Sequence, residues 1–568
     1  MQTKRFILFS ISLLLCGCGR QVVPSTSTTS STRPSVTTGS VFPSSSVTPT
    51  TISIDPSSIT PPSTSSDIPV TYPVTLDIFS TNDYHGRVSR TSSYPYEGGI
   101  ARFSTYLKNR MAENIDGSIF VNAGDLWQDT YDSALNNGEL LTKAMADINC
   151  EAMALGNHEF DWGQENIAHN KEIAETYNPN HRMDFLGANI YHYEGGEATT
   201  HASELCAQYK IIERCGIRIG LIGGIGVDQI SSITSSNWTN LTFVDPVPVV
   251  RSISDTLREV GECEVILYLY HGSYDNCQPS LVSATSPVTG KPYVDAVFLG
   301  HTHQYESEEL NGVPFTQSYQ HGASLGHVQL VVEETGVHYT YKSSEGDRVS
   351  NGYGNGTNSI YQASEDEGVK AIVDSYLTPS FIETRDAVVG QVLHANGGKI
   401  SKNVGGMLAY ATSDYIDSIK SSHPEIGNVD VVINNGNRDT IYLGENGAIT
   451  NEKIFNLIPF TNKTIIAKVK GSDIKNECVN YSNPYYLPGG ASLSLDDNTY
   501  YTVACIDYLL LHKNASRNYN YFPSYASYES NPIYVIEKLP YAILMDYMAS
   551  HHTYDLDIQS GAAFTGLS

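Results

Sequence analysis

Five apolar runs between residues 74 and 299 each end in a short cluster of aspartate, asparagine or histidine. That ordered set constrains the fold more than any other feature of the chain. Residues 74–80 lead into Thr81-Asn82-Asp83-Tyr84-His85-Gly86, 118–122 into Gly124-Asp125, and 152–155 into Gly156-Asn157-His158-Glu159-Phe160-Asp161. Further on, 264–270 lead into His271-Gly272, and 294–299 into Gly300-His301-Thr302-His303. The runs alternate with polar, helix-like stretches, the rhythm of an α/β domain. In open α/β sheets ligands bind beyond the carboxyl ends of the strands, so five such ends can converge on one site.

Spacing adds to this. In an extended segment residues i and i+2 share a face, so Asp83 with His85, and His301 with His303, are each predicted to present two ligands in one direction. Asn157 and His158 are adjacent and point apart, so one can hold metal while the other faces substrate. Asp161 lies within reach of His158 if the chain turns helically there, and can orient its imidazole. Singly, each cluster reads as well as a solvated turn or a satisfied core histidine; with 17 histidines in the chain, about one D-x-H arises by chance. Five together, each at a strand end and in this order, do not.

The ordered set D-x-H, G-D, G-N-H-E-F-D, H and G-H-T-H resembles the calcineurin-like metallophosphoesterases. Its N-terminal forms, together with Gly98-Gly99-Ile100-Ala101-Arg102, resemble the 5′-nucleotidase branch. The resemblance implies an α/β fold: a four-layered α-β-β-α metallophosphoesterase domain over 73–350, a joining helix within 351–380, and a smaller α+β C-terminal substrate-binding domain over 381–568. It implies two divalent metal ions, one held by Asp83, His85, Asp125 and His303, the other by Asp125, Asn157, His271 and His301. Such ions lie about 3.5–4 Å apart, clamp the attacking and leaving oxygens, and activate water near neutral pH. Nitrogen and oxygen ligands without thiolate admit zinc, manganese, iron or cobalt. By the same resemblance His158, helped by Asp161, stabilises the transition state or protonates the leaving oxygen.

The C-terminal half matches less closely. Asn403-Val404-Gly405 resembles a segment that opens a helix in the family's second domain. In the segment from Ile433 to Asp439, asparagines replace the family's glycines but Arg438 remains, implied to grip phosphate or ribose as a two-pronged donor. Pro459-Phe460-Thr461-Asn462 matches P-F-x-N, in which the phenylalanine stacks on the base and the asparagine contacts it. Tyr508 aligns with the second stacking aromatic, although it sits in an apolar run, 506–511, that reads equally as core. A ribose-binding G-G-D is replaced by His512-Lys513-Asn514, and two expected arginines by His394 and Gly398.

The N-terminus bears on location. Lys4 and Arg5 precede an apolar run, 6–15, far short of the roughly 20 residues needed to span a bilayer, so a secretion signal is predicted. Leu15-Cys16-Gly17-Cys18 resembles a bacterial lipobox, which implies a lipid on Cys18 and a protein anchored on the extracellular face of the cell membrane. Residues 19–72 are rich in Ser, Thr and Pro, cannot bury a core, and read as a solvated tether reaching on the order of 40 Å. Seven cysteines follow the signal, with Cys206 and Cys215 a plausible bridge. The net charge of −27 argues against a nucleic-acid polymer as partner, because binding the phosphate backbone needs clustered Lys and Arg.

The predicted activity is hydrolysis of nucleoside 5′-monophosphates to nucleoside and phosphate. A 2′,3′-cyclic-nucleotide phosphodiesterase/3′-nucleotidase or a nucleotide-sugar diphosphatase are alternatives within the same chemistry. A surface binding protein or adhesin on the same scaffold is the alternative outside it; the intact set of ligand residues speaks against that. His551-His552 reads as a helix end, and the tyrosine-rich stretch 519–528 as packing.

Overall fold

A computed structural model describes residues 70–555, apart from positions within 92–96, 282–283, 344–358, 394–398, 401–403, 436–446, 481–482, 491, 512–518 and 552. Cys18, residues 19–69 of the tether, Asn403, Arg438, His394 and Gly398 lie outside the described residues. The end of the tether is not solvated throughout, since Val70 and Tyr72 pack against the core and the Tyr72 hydroxyl donates to Glu264 at 2.7 Å.

The five apolar runs form strands, shared between two sheets as the α-β-β-α arrangement requires. The first sheet has the order Gly336–Ser343, Gly326–Glu333, Val74–Thr81, Ser118–Asn122, Ala152–Ala154, Asp184–Leu186. The second runs Tyr305–Leu310, Val313–Ser318, Ala296–Leu299, Val265–His271, Ile217–Ile225, Tyr209–Arg214. The strands that lead into the motifs pair in parallel within each sheet, Phe79 opposite Phe120 and Leu267 opposite Ala296. Their inner faces meet in a shared core in which Leu76, Ile78, Ile119 and Val121 face Ile219, Leu221, Leu267, Leu269 and Phe298. Strands buried on both faces read as continuous apolar runs, which is why Val265–His271 is buried at every position.

Helices cover the two outer faces. Ile100–Met111, Glu139–Asp147 and Gln164–Thr176 pack on the first sheet through Phe103, Leu107, Leu141, Met145 and Ile167. Pro246–Glu259 packs on the second through Val249, Val250, Ile253 and Leu257, a stripe at helical spacing. Its start is set by sequence: the Asp245 side chain accepts the Val247 N–H at 3.0 Å, and Pro246 fits the first turn. These layers make the α-β-β-α arrangement. The expected joining helix spans Glu367–Tyr376, capped by Asp366, and buries Val369 and Val373 in the same core as Phe103. It is therefore part of the first sheet's helical layer as well as a connection.

Beyond it, a five-stranded sheet has the order Tyr485–Tyr486, Val431–Ile433, Tyr500–Ile506, Thr464–Lys470, Tyr534–Ile536. The helices Val404–Ile419 and Pro540–His551 pack on one face through Met407, Leu408, Ile543 and Leu544. The apolar run 506–511 is not one element: the strand ends at Ile506 and Asp507–Leu511 is a short helix. The Cys206–Cys215 bridge is absent. Both cysteines are free, Cys206 buried with its thiol against the Ala202 and Gly187 carbonyls, Cys215 exposed at a turn. His551 ends its helix with its ring stacked on Tyr547, centroids 4.1 Å apart, and has no part in the site.

Candidate active site

All seven predicted ligands meet at the carboxyl ends of the motif strands, where the two sheets lie side by side. They form two groups. Asp83, His85 and His303 cluster, as do Asp125, His271 and His301. The amide oxygen of Asn157 completes the second group, 3.2 Å from His271 Nε2 and 3.1 Å from His301 Nδ1. One oxygen, Asp125 Oδ2, lies 3.1 Å from His271 Nε2 and 3.9 Å from His85 Nε2, so a single carboxylate reaches both groups.

The route to this convergence differs from strand alternation. Asp83, His85, Asp125, His301 and His303 all have positive φ, between 46° and 76°, in the left-handed region that non-glycine residues rarely enter. The chain coils rather than extends, so His301 and His303 part company, one to each group. Such conformations persist only where neighbours over-determine them. Here the N–H groups of Asp83 and His85 donate to the carbonyls of Gly124 and Asp125 at 2.9 and 3.1 Å, and the His301 N–H donates to the Asp83 carboxylate. Gly124 is required, since a Cβ there would stand 2.7 Å from His271 Nδ1.

The donor chemistry fits cations. His85 Nδ1 faces the Gln128 carbonyl at 3.1 Å and His271 Nδ1 the Ala123 carbonyl at 2.8 Å. Carbonyls only accept, so each Nδ1 carries the proton and each Nε2 turns a lone pair inward. Those lone pairs meet others: His85 Nε2 is 2.9 Å from His303 Nε2, and His271 Nε2 faces two oxygens. Nitrogens and oxygens in such opposition are reconciled by a proton or a metal ion. The electrostatics point the same way. Burial alone would lower the His271 imidazole, yet the Asp125 carboxylate holds it up at about 10; His271, His158 and His85 hold Asp125 well below the usual carboxylate range against its burial.

His158 sits beside this centre. Its backbone N–H donates to Asp125 Oδ1 at 2.8 Å, and its Nδ1 to Asp161 Oδ2 at 2.7 Å. The Asp161 contact is made because residues 158–160 turn helically, as the spacing predicts. Two residues here escaped the sequence reading. Glu159, fully buried, accepts the N–H groups of Asp125, Leu126 and Gly156 at 2.9, 2.8 and 2.7 Å and thereby locks two ligand loops together. Burial and the neighbouring Asp125 charge push its carboxyl up to about 7, against the pull of those N–H groups. An acid between a histidine and a buried phenylalanine was the available signal. Gln128, whose carbonyl orients His85, also donates from its side chain to the Pro459 carbonyl.

Through that contact the C-terminal half reaches the metal loops. A cavity of about 320 Å³ is lined by His158, Asp161, Thr234, Asn435, Phe460, Asn462 and Tyr508, so three of the four predicted substrate residues share one space with the His158–Asp161 pair. The fourth, Arg438, lies outside the described residues. Tyr508 is half-buried, 6.2 Å from the Tyr521 ring on one side and lining the cavity on the other.

Comparison with known proteins gives the arrangement its context. Residues 76–305 match the calcineurin-like phosphoesterase family, and 395–478 match the 5'-nucleotidase C-terminal domain. The snake venom 5'-nucleotidase of Gloydius brevicauda is 25% identical over 438 residues, covering 70% of this chain and 69% of that protein. The endonuclease YhcR of Bacillus subtilis is 24% identical over 75% of this chain, which spans only 35% of that relative. Among solved structures, the 5'-nucleotidase precursor of Thermus thermophilus shares the fold, with a TM-score of 0.58 at 18% identity over 85% of this chain and 97% of the other. With a calcineurin-like phosphoesterase domain that carries a paired ligand set, followed by a 5'-nucleotidase C-terminal domain, the chain has the two-domain make-up of a metal-dependent phosphoesterase.

Proposed function

We propose that the protein hydrolyses nucleoside 5′-monophosphates to nucleoside and phosphate on the extracellular face of a bacterial membrane, anchored by a lipid on Cys18. One observation carries the substrate: Phe460, Asn462 and Tyr508 line the same cavity as His158 and Asp161. Two aromatic planes suit a base, each stacking contact being worth about 1–3 kcal/mol. The relatives named as 5'-nucleotidases support the same reading. Anchoring is supported by the sequence of residues 1–18 and by the tether that follows. Among the described residues no helix is long and apolar enough to cross a membrane.

The groups divide the work. Asp83, His85, Asp125, Asn157, His271, His301 and His303 are the residues to hold two divalent ions, zinc, manganese or similar. When bound, the ions supply Lewis acidity at the phosphoryl group and a nucleophile at neutral pH. Asp161 holds the His158 Nδ1–H, which fixes the ring and leaves Nε2 to carry a proton toward the phosphoryl or leaving oxygen. The Asn157 and His158 side chains diverge, so the ligand and the acid act on one substrate from adjacent positions in the chain. Phe460 and Tyr508 hold the base and exclude water, and Arg438 is assigned to phosphate or ribose by its sequence position.

The test is turnover by the purified full chain, stripped with chelator and resupplied with manganese, zinc or cobalt. Each substrate is followed by its own first product: phosphate from AMP and UMP, adenosine monophosphate from the cyclic nucleotide, UMP from UDP-glucose and p-nitrophenol from the diester. AMP, UMP, 2′,3′-cyclic AMP, UDP-glucose and bis-p-nitrophenyl phosphate are compared side by side. Metal-dependent release from AMP or UMP well above the others supports the proposal. Preference for the cyclic or diphosphate substrate replaces it with that activity, and turnover of none replaces it with a binding role.

A further inference from the structure

Within the cavity, Asn462 is the group whose orientation the surrounding chain decides. Its Nδ2 donates to Asp507 Oδ1 at 2.7 Å and to Thr234 Oγ1 at 3.2 Å. A carboxylate only accepts, so the amide nitrogen, not the oxygen, must face Asp507. Asp507 is itself fixed. It is buried, its Oδ2 accepts the Lys463 N–H at 3.1 Å, and its own N–H donates to the Lys463 carbonyl at 2.8 Å. Both amide hydrogens of Asn462 are therefore engaged by protein, and its Oδ1 is the group left to a ligand. Turning the amide over would set that oxygen against the Asp507 carboxylate, two acceptors at hydrogen-bond distance with no proton between them.

We infer that Asn462 presents an acceptor, and no donor, to the edge of a base held between Phe460 and Tyr508, and so selects bases with an exocyclic amino group over their oxo counterparts. Asp507 and Thr234 are the positioning residues that impose this. The inference rests on the nucleotide reading above and adds to it which nucleotides are taken. An adenine or cytosine amino group donates to Asn462 Oδ1. The carbonyl oxygen of hypoxanthine or uracil meets it lone pair to lone pair, leaving two desolvated acceptors without a proton between them.

The experiment compares kcat/KM for AMP against IMP and for CMP against UMP, pairs that differ at this edge. The wild-type ratios are expected at about tenfold or more in favour of the amino member. Asp507→Asn is the diagnostic variant. Its side-chain oxygen can still accept the Lys463 N–H, but its NH2 group then faces Asn462, which turns its own oxygen to meet it and offers Nδ2 to the cavity. The AMP/IMP ratio should fall below the wild-type value and move toward IMP, a change that general loss of structure does not produce. Thr234→Val, which frees one amide hydrogen, should lower the ratio less. Wild-type ratios near one overturn the inference whatever the variants do, as does an unchanged ratio in Asp507→Asn. Equal release from all four nucleotides sinks this inference alone. Release from none of them, with bis-p-nitrophenyl phosphate still hydrolysed, sinks the nucleotide reading and this inference together.

Discussion

The Thr461 hydroxyl donates to the backbone carbonyl of Asp161 at 2.8 Å, so the segment assigned to the base is tied to the residue that orients His158. With the Gln128 side chain on the Pro459 carbonyl, this bond fixes the position of Phe460 relative to the metal loops. Thr461→Val keeps the shape and removes the donor. A lost hydrogen bond of this kind is worth about 1–2 kcal/mol, so kcat/KM for AMP is expected to fall roughly 5–30-fold. Steady-state kinetics at saturating metal checks this, and an unchanged value would show that the bond does not position the clamp.

His158→Ala removes the proton carrier but no member of the seven-residue ligand set. Turnover of AMP should drop by about 10²–10⁴-fold while the chain still binds two metal equivalents. Elemental analysis alongside kinetics separates the two effects. Loss of metal in step with loss of activity would make His158 a ligand instead.

Glu159→Gln tests the loop lock. The carboxylate accepts three N–H groups with two oxygens, whereas an amide offers one oxygen and turns its NH2 against a donor. Destabilisation of about 1–3 kcal/mol is expected, visible as a lower unfolding temperature and weaker metal retention under chelator. Wild-type values for both would show that the ligand loops hold without it.

Glu97 gives stability a pH dependence. Burial pushes its carboxyl up to about 7 from an ordinary 4.5, with Arg87, 3.7 Å away, pulling it down. The native state therefore binds a proton that the unfolded chain has released between pH 4.5 and 7. Stability falls as pH rises through that window and levels off above it, by an amount on the order of 3 kcal/mol. Glu97→Gln removes this contribution, so thermal unfolding of the variant should gain on the wild type as pH moves from 5 to 8. A pH-independent difference would rule the effect out.

Cys18→Ala tests the anchor. In a bacterial host the wild-type chain should incorporate a fatty-acid label and sediment with membranes, and the variant should do neither. Labelling that survives the substitution would point to Cys16.

Much of this was legible in the sequence because the motif strands are buried on both faces. Residues 118–122 and the runs near 74, 265 and 296 could be read as strands from their unbroken apolar character, and their ends from the glycines and ligands that follow. What could not be read was long-range. Nothing local says that His271 and His301 leave a different sheet from Asp83, since sheet membership is decided by pairing partners far away in the chain. Nor does D-x-H announce that both residues coil left-handed; alternation predicted the right ligands through the wrong geometry. Asp507 was invisible for a similar reason. Its meaning comes from Asn462, 45 residues away, and from a helix that begins where an apolar run implied continuity.

The wide spacing of the ligands has a kinetic consequence. His85 and His303 are 218 positions apart, and the first sheet is not complete until Gly326–Glu333 pairs with Val74–Thr81 and Gly336–Ser343 pairs with Gly326–Glu333. No nascent fragment ending before His301 holds either full ligand group, and none ending before residue 336 has the edge strand of the first sheet. Assembly of the centre therefore follows loop closure over most of the domain, a slow class of event, and the acquisition of metal becomes a late checkpoint in the maturation of the chain.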